Sequence, residues 1–288
     1  MSAAHDDGNL IIMRRLLVAA SRGTAAVASA VAAQALSAAE GDASRCEGGR
    51  RPRVLITGFH DWRDVAENLW RCRDNPSCRL LLGPPSETPP IRREGALVQA
   101  LKQANIRADF TFQTLPVTWG TANGLDLAGY DIVIHLGLGV YDSHNTILLE
   151  HGAFNLRGEG RDALNRAGTG EAIESGAQKH MKLESGMLKR LADLRRQPST
   201  LTPASGGAAP FVVVEAPSRK ENAYICNETH WRALRAVEAS VQGADARPQA
   251  AYFVHIPYAN PKRERAYEEL AAAVAALIGR VVALEVEA

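Results

Sequence analysis

Cys226 is the residue in this 288-residue sequence whose setting best fits a nucleophile. It comes just before a helical pattern that runs through Trp231, Leu234 and Val237. At a helix N-terminus, exposed N–H groups and the positive end of the dipole stabilise a thiolate. The alternative is a buried structural cysteine, since free cysteine is among the most buried residue types. A base close to the thiol would favour catalysis.

His255 and Glu150 supply the two other side-chain types that this chemistry needs. His255 lies in the apolar run Tyr252–Ile256, and Glu150 follows the apolar run Thr146–Leu149. Each also has a structural interpretation, a hydrogen-bonded core histidine and a solvated carboxylate. Together, a thiol, an imidazole base and a carboxylate that orients the imidazole form the triad of thiol acyl-transfer enzymes.

Short apolar runs alternate with helical spacing and predict the elements that position these side chains. Continuous runs rich in β-branched residues predict strands at Val54–Thr57, Ile132–Gly137, Phe211–Glu215 and Tyr252–Ile256. Apolar residues spaced by three and four predict helices over Ala96–Ala104, Met187–Leu194 and Leu270–Leu277. The alternation is typical of an α/β fold with a mostly parallel sheet between helices, whose ligand sites lie beyond the carboxyl ends of the strands.

Residues 1–50 differ in composition from the rest of the chain. They are rich in alanine, and Arg14-Arg15 precedes a short apolar run that Arg22 interrupts. We interpret them as a poorly ordered extension or a cleaved export signal rather than a membrane anchor. The folded domain is expected over residues 51–288, with long loops at 61–90 and 157–179. The protein is expected in the cytoplasm, or outside it if the extension is a signal.

The composition limits the partners that the protein can have. Lys+Arg 33 against Asp+Glu 32 gives a net charge of +1, so no summed field favours nucleic acid or an anionic membrane. The four cysteines lack C-x-x-C spacing, and most are expected to be free thiols. Cys72 and Cys78 lie close enough in sequence to close a small loop, but spacing alone does not show a bond.

Several short motifs, in order along the chain, surround these candidate residues. They are Val54–Phe59, Asn75-Pro76-Ser77, Ile134–Leu138, Glu150–Asn155, Tyr224–Asn227 and Phe253–Pro257. The ordered set E-x-x-A-x-N, Y-x-C-N and F-x-H-x-P is specific, because it supplies acid, nucleophile and base together. In these segments, about residues 53 to 260, the sequence resembles the pyroglutamyl peptidase I family of cysteine peptidases.

The resemblance implies a fold and a set of roles. The fold would be a single α/β domain of the phosphorylase/hydrolase-like type, with a twisted, mixed sheet between helices. Glu150 would be the triad acid, Cys226 the nucleophile and His255 the general base. The substrate would be a peptide with a blocked N-terminus, with no cofactor or metal, and the protein could form a homo-oligomer.

The resemblance also implies substrate-binding residues, around which the sequence departs from the family. These residues are Phe59, Trp62, Asn75 and Asn155. The family's G-F-x-P-F is replaced by Gly58-Phe59-His60-Asp61-Trp62, and more residues than usual separate Trp62 from Asn75. Glu221–Ala223 stands where the family often has A-G-x. Because neighbouring residues of an extended segment point to opposite sides, we expect Asp61 to point away from the pocket.

Two other functions remain as alternatives. A metal-dependent hydrolase would use the acidic and imidazole side chains His135, Asp142, His144, Glu150 and His151, although these lack the spacing of known metal motifs. A noncatalytic or altered-specificity binding protein would keep the peptidase fold and an aromatic pocket at Phe59 and Trp62. Hydrolysis that thiol reagents inhibit and chelators leave unchanged would separate the enzyme from both alternatives.

Overall fold

The computed structural model describes residues 50–63, 69–83, 94–140, 143–183, 211–216, 220, 223–241, 248–259 and 263–286. All but the last residue of the predicted N-terminal extension lies outside the described residues, as does the predicted helix Met187–Leu194.

The described residues form ten strands and four α-helices. The strands are β1 Arg53–Phe59, β2 Trp62–Arg63, β3 Leu69–Trp70, β4 Asp109–Leu115, β5 Ile132–Val140, β6 Thr146–Glu150, β7 Gly152–Phe154, β8 His180–Lys182, β9 Val212–Ala216 and β10 Ala250–Pro257. The helices are α1 Pro76–Leu82, α2 Ala96–Gln103, α3 Ile225–Ser240 and α4 Glu264–Val286, with a 3₁₀ turn at Thr121–Gly124.

Six strands form the central sheet, in the order β4-β1-β5-β10-β6-β9. Every neighbouring pair is parallel except β10 and β6, which run antiparallel. The predicted α/β class, with a mostly parallel mixed sheet, is therefore confirmed. The continuous apolar runs explain this topology, because β1 and β5 are buried on both faces.

The helices cover both faces of the sheet. Gly58 of β1 meets Ser77 and Leu81 of α1, which puts α1 on one face. Phe59, the next residue, points to the opposite face and packs with Ile225 of α3. Helices α1, α2 and α4 pack against one another on the first face, while α3 contacts β5 and β10 from the second.

The loop predicted over residues 61–90 contains regular structure, which corrects the prediction. Strands β2 and β3 pair there as a short hairpin, and α1 follows with the side chain of Asn75 at its N-cap. The expectation of mostly free thiols is also wrong for two of the four cysteines, since Cys72 and Cys78 form a disulfide. Two features of the sequence do indicate this structure, a capping Asn before Pro and two cysteines six residues apart. Charged residues surround both features, and they favour a loop prediction instead.

Two other elements differ from the prediction. The alternating segment Asp109–Leu115 forms the edge strand β4, which the search for continuous apolar runs missed. The C-terminal helix extends well beyond Leu270–Leu277 at both ends. Over the described residues, no helix is both long and apolar enough to cross a membrane.

Gly58 is a position where the fold has no room for a side chain. A Cβ there would lie 2.1 Å from the backbone oxygen of Ser77. We expect Gly58→Ala to lower the free energy of unfolding by about 1–3 kcal/mol, because β1 and α1 must separate. Urea denaturation measures this change. Gly124→Ala is the matched control, since a Cβ at Gly124 meets no atom within 4 Å. Equal stability of the two variants would contradict the packing argument.

Candidate active site

Glu150, Cys226 and His255 come together at one place in the structure. The Nδ1 atom of His255 lies 2.9 Å from Oε1 of Glu150. The side chain of Cys226 forms a hydrogen bond with the same imidazole. The His255 and Glu150 side chains are only 16% and 15% exposed, so their contact is shielded from water. The three candidate residues are thus connected in the order acid, imidazole, thiol.

The antiparallel pairing of β6 with β10 explains how Glu150 reaches His255. His255 pairs with Leu148, so the two side chains share a face of the sheet. Glu150 lies two residues further along β6 and therefore points to that face too. A diagonal neighbour on the adjacent strand is within reach of a long side chain. Cys226 is the second residue of α3, the helix that covers the second face of the sheet.

Two glycines of β5 make the space that these side chains occupy. A Cβ at Gly139 would lie 2.3 to 2.9 Å from ring atoms of His255. A Cβ at Gly137 would lie 2.8 Å from the Phe253 ring and 3.2 Å from the Cys226 sulfur. Any larger residue at Gly139 would have to displace the imidazole. Gly137 ends the predicted strand and Gly139 lies two residues beyond it, and the spatial neighbours of both belong to distant parts of the chain.

Three buried imidazoles near the site differ in their charge state because their partners differ. Burial lowers the pKa of both His135 and His230 to about 3, so these two rings are neutral. Burial also lowers the pKa of His255, but hydrogen bonds and charges from Cys226 and Glu150 outweigh it and raise the pKa to about 9. The site therefore holds a charged imidazolium beside the thiol at neutral pH.

An apolar cluster lies next to Cys226. Its buried members are Phe59, Leu115, Val117, Ile225 and Phe253, and its partly buried members include Trp62, Trp119, Tyr224 and Cys226 itself. The rings of Phe59 and Phe253 stack with centroids 6.2 Å apart. The thiol thus borders a wall that suits a flat, uncharged group.

Asn75 and Asn155 lie near this cluster but use their side chains to hold backbone. The Asn75 amide donates to the carbonyls of Phe59 and His60, at 2.8 and 2.9 Å. The Asn155 amide donates to the carbonyls of Glu174 and Ala177, within the segment predicted as a loop. Their contribution to substrate binding stays a prediction, and the geometry gives them a positioning role.

Asp61 points away from the apolar cluster, as expected. Its carboxylate accepts hydrogen bonds from the backbone N–H of Cys72 at 2.7 Å and from the Arg71 guanidinium at 3.2 Å. These contacts tie Asp61 to the start of the segment that follows the hairpin. The negative charge of Asp61 is therefore paired with the Arg71 guanidinium, outside the apolar cluster.

Asn227 and Glu228 are site residues whose roles the sequence did not reveal. Asn227 donates to the carbonyls of Phe154 and Leu156 and accepts from the N–H of Phe154, which ties β7 to α3, the helix of Cys226. Glu228 is 1% exposed and pairs with Arg157. Both follow Cys226 directly, but their partners lie about 70 residues away in sequence.

The residues proposed for a metal-dependent hydrolase are used in other ways. Nδ1 of His135 lies 2.6 Å from the Thr57 hydroxyl in the core. Glu150 bonds to His255, and Asp142 lies outside the described residues. Within the described ranges, these side chains are not among those that gather at metal-ligand distances.

Comparison with solved structures finds proteins of similar fold. The chain is similar to the pyrrolidone carboxyl peptidase of Fervidobacterium islandicum AW-1, with 18% identity, a TM-score of 0.54, and coverage of 80% of this chain and 98% of the other. It is also similar to the pyroglutamyl peptidase I of Bacillus amyloliquefaciens, with 17% identity, a TM-score of 0.50, and coverage of 82% and 96%.

A pyrrolidone carboxyl peptidase variant from Pyrococcus furiosus gives 19% identity, a TM-score of 0.50, and coverage of 82% and 100%. No family model and no curated protein matches the sequence. At these identities the likeness shows the fold, and this chain has the fold of the pyroglutamyl peptidases.

Gly139→Ala tests whether the space in β5 positions His255. The added methyl group would displace the imidazole from its position beside Glu150 and Cys226. We expect the pKa of His255 to fall from about 9 toward 6.5, the ordinary value for histidine. NMR titration of the imidazole measures it. Gly124→Ala is the control, and an unchanged His255 titration in Gly139→Ala would show that the ring does not depend on this space.

The raised pKa of His255 also predicts how stability depends on pH. The folded protein holds a proton that the unfolded chain loses near pH 6.5, so the imidazolium stabilises the fold fully below that pH. This contribution is lost as the pH rises through about 9. We expect Glu150→Gln to have a smaller decline in the free energy of unfolding between pH 6.5 and 9 than the wild type. Parallel urea titrations across that range measure the difference, and identical slopes would rule out the pairing.

Proposed function

We propose that the protein is a cysteine peptidase that removes an N-terminal pyroglutamyl residue from peptides. The observation that carries the proposal is the connected set Glu150, His255 and Cys226 next to an apolar wall. The likeness in fold to pyroglutamyl peptidases supports it independently.

The character of the wall favours a pyroglutamyl cap over a free N-terminus. A pyroglutamyl lactam is flat and neutral, so it can be buried against Phe59, Phe253 and Trp62 without an ionic partner. A free amine would lose its hydration there, because Asp61 is bonded to Cys72 and Arg71. The Trp62 indole N–H is buried without a hydrogen-bond partner among the described residues, and it could donate to a lactam carbonyl.

Acylation begins with the thiolate of Cys226. It attacks the carbonyl that joins the cap to the next residue, and the oxygen of that carbonyl becomes an oxyanion. Cys226 is the second residue of α3, where backbone N–H groups have no partner within the helix and can donate to that oxygen. His255 gives its proton to the leaving amine, and the peptide departs with a free N-terminus.

Deacylation uses the same residues with the opposite proton transfer. Neutral His255 takes a proton from a water molecule, which attacks the thioester and releases pyroglutamate and the Cys226 thiolate. Glu150 holds the imidazole and compensates its positive charge in both steps. No step of this scheme uses a metal or an organic cofactor.

Fluorogenic amides of pyroglutamate, glutamine and proline test the substrate and the nucleophile together. We expect the pyroglutamyl amide to have the highest kcat/KM, since the other two carry a cation into the apolar pocket. Cys226→Ser should lower kcat by more than about 10³-fold, as removal of a triad nucleophile does. Cys46→Ser is the matched control and should retain wild-type kcat.

The outcomes separate the proposed enzyme from its alternatives. Iodoacetamide should inactivate the protein by alkylating Cys226, and chelators should leave the rate unchanged. A preference for glutaminyl or prolyl amides would overturn the cap assignment but leave the thiol mechanism in place. Binding of pyroglutamyl peptides without turnover would identify a noncatalytic binding protein.

A further inference from the structure

The segment Arg71–Arg79 contains a disulfide at the edge of the proposed substrate pocket. Cys72 lies in the turn after β3, and Cys78 lies in α1, where it is fully buried. The bond closes a small loop that contains Asn75 and Ser77. Neither cysteine takes part in the proposed mechanism, whose nucleophile Cys226 is a free thiol in the structure.

The closed loop holds the backbone of Phe59, which lines the pocket. The Asn75 amide donates to the carbonyl of Phe59 at 2.8 Å, and the Ser77 hydroxyl accepts from the N–H of Phe59 at 3.1 Å. The Asn75 amide also donates to the carbonyl of His60. Asn75 and Ser77 are both buried, so these hydrogen bonds are made inside the protein. Both polar groups of the Phe59 backbone therefore depend on residues inside the disulfide loop.

The loop is connected to the second pocket residue, Trp62, as well. The N–H of Cys72 donates to the Asp61 carboxylate at 2.7 Å, next to Trp62. Trp62 stacks on Trp70, two residues before Cys72, with ring centroids 5.9 Å apart. Any movement of Cys72 would thus reach Trp62 through both Asp61 and Trp70.

His60 gives the buried sulfur a route for protons. A ring nitrogen of His60 and the two sulfur atoms all lie within 4.8 Å of one another. The His60 side chain is 42% exposed, while Cys78 is buried. An imidazole that touches both solvent and the sulfurs can carry a proton to a thiolate that water cannot reach.

We propose that Cys72 and Cys78 form a reversible redox site that sets how tightly the pocket binds its substrate. The substrate part of this proposal rests on the proposed peptidase function, whereas the redox chemistry does not. The oxidised loop fixes Phe59 and Trp62, and reduction loosens both. Tight substrate binding and turnover then require different oxidation states of the cysteines. Cys226 must be a free thiol, whereas Cys72 and Cys78 must form their disulfide.

The reductant is a dithiol, and the exchange balances in two steps. One thiolate of the dithiol attacks the more accessible Cys72 sulfur, the S–S bond breaks, and its electron pair leaves on Cys78, which takes a proton from His60. The second thiolate then attacks the mixed disulfide, forms the cyclic disulfide of the reductant and releases Cys72 as a thiolate, which is protonated from solvent. The protein gains two electrons and two protons, and the dithiol is oxidised.

The test is a titration of the full-length protein with mixtures of reduced and oxidised dithiothreitol. Alkylation and mass mapping report the state of each cysteine, and kcat and KM are measured for pyroglutamyl amide at each mixture. We expect KM to rise about tenfold when Cys72 and Cys78 become reduced, as the loss of one buried hydrogen bond to the pocket would give, with a smaller change in kcat. Hydrogen exchange of residues 54–63 should become faster in the same mixtures.

Three variants complete the experiment. Cys72→Ser/Cys78→Ser should have the high KM in every mixture, and Cys46→Ser should respond as the wild type does. His60→Gln should keep the low KM of the oxidised protein but slow the reduction of the disulfide. Should the double variant fail to fold, the wild-type titration decides the question alone.

The readouts distinguish failure of this proposal from failure of the proposed function. An unchanged KM and unchanged hydrogen exchange after reduction of Cys72 and Cys78 would overturn the redox site while turnover continues. Faster exchange without turnover in any mixture would retain the redox site and reject the peptidase. Alkylation of Cys72 and Cys78 as free thiols in the most oxidising mixture would also overturn the redox site.

Discussion

The contact between His255 and Glu150 is the interaction on which the chemistry of this protein depends. Two other imidazoles, His135 and His230, lie nearby on the same side of the sheet, and burial holds their pKa values near 3, with a further lowering of the His230 pKa by the neighbouring imidazoles. His255 is enclosed by the same core, yet the carboxylate and the thiol raise its pKa to about 9. A buried imidazolium is stable only where a negative partner compensates the lost hydration. Cys226 and Glu150 together therefore decide which of the three rings carries a proton at neutral pH.

The sheet topology makes the contact between His255 and Glu150 possible. A wholly parallel sheet would bring the carboxyl ends of all strands to one edge. In this sheet, β6 runs antiparallel to its neighbour β10. Its reversal places a carboxylate beside an imidazole that lies within β10 rather than in a loop. Strand positions are more rigid than loop positions, so the imidazole is held in one orientation. Gly139 on the other side of β10 leaves the ring its space.

The sequence allowed prediction of the parts of the fold that depend on local patterns. Val54–Thr57 and Ile132–Gly137 are apolar on both sides because they lie at the centre of a parallel sheet, and that property is visible in a short window. The triad residues were predicted through motifs that resemble a known family, and the structure brings them together.

Other features depend on contacts between distant segments and could not be read from local pattern. In the sequence, Gly139 resembles any other glycine next to a strand. Only the folded structure shows that the His255 ring lies against it. The hairpin β2–β3 has two residues in each strand, too few for alternation to reveal it. Asn227 is the last residue of the motif Y-x-C-N, and the motif does not indicate its hydrogen-bond partners. These partners, Phe154 and Leu156, come from another part of the chain.

The short hairpin shows why the pocket needs covalent and aromatic support. A two-stranded ribbon of this length has no independent stability in water. Trp70 packs edge-on against Tyr258 at 5.6 Å, and Tyr258 follows β10 only three residues after His255. The hairpin is thus attached to the strand that carries His255, while the disulfide fixes the segment that follows the hairpin. Because Tyr258 follows β10 directly, the hairpin and the contact between His255 and Glu150 share one strand as their support.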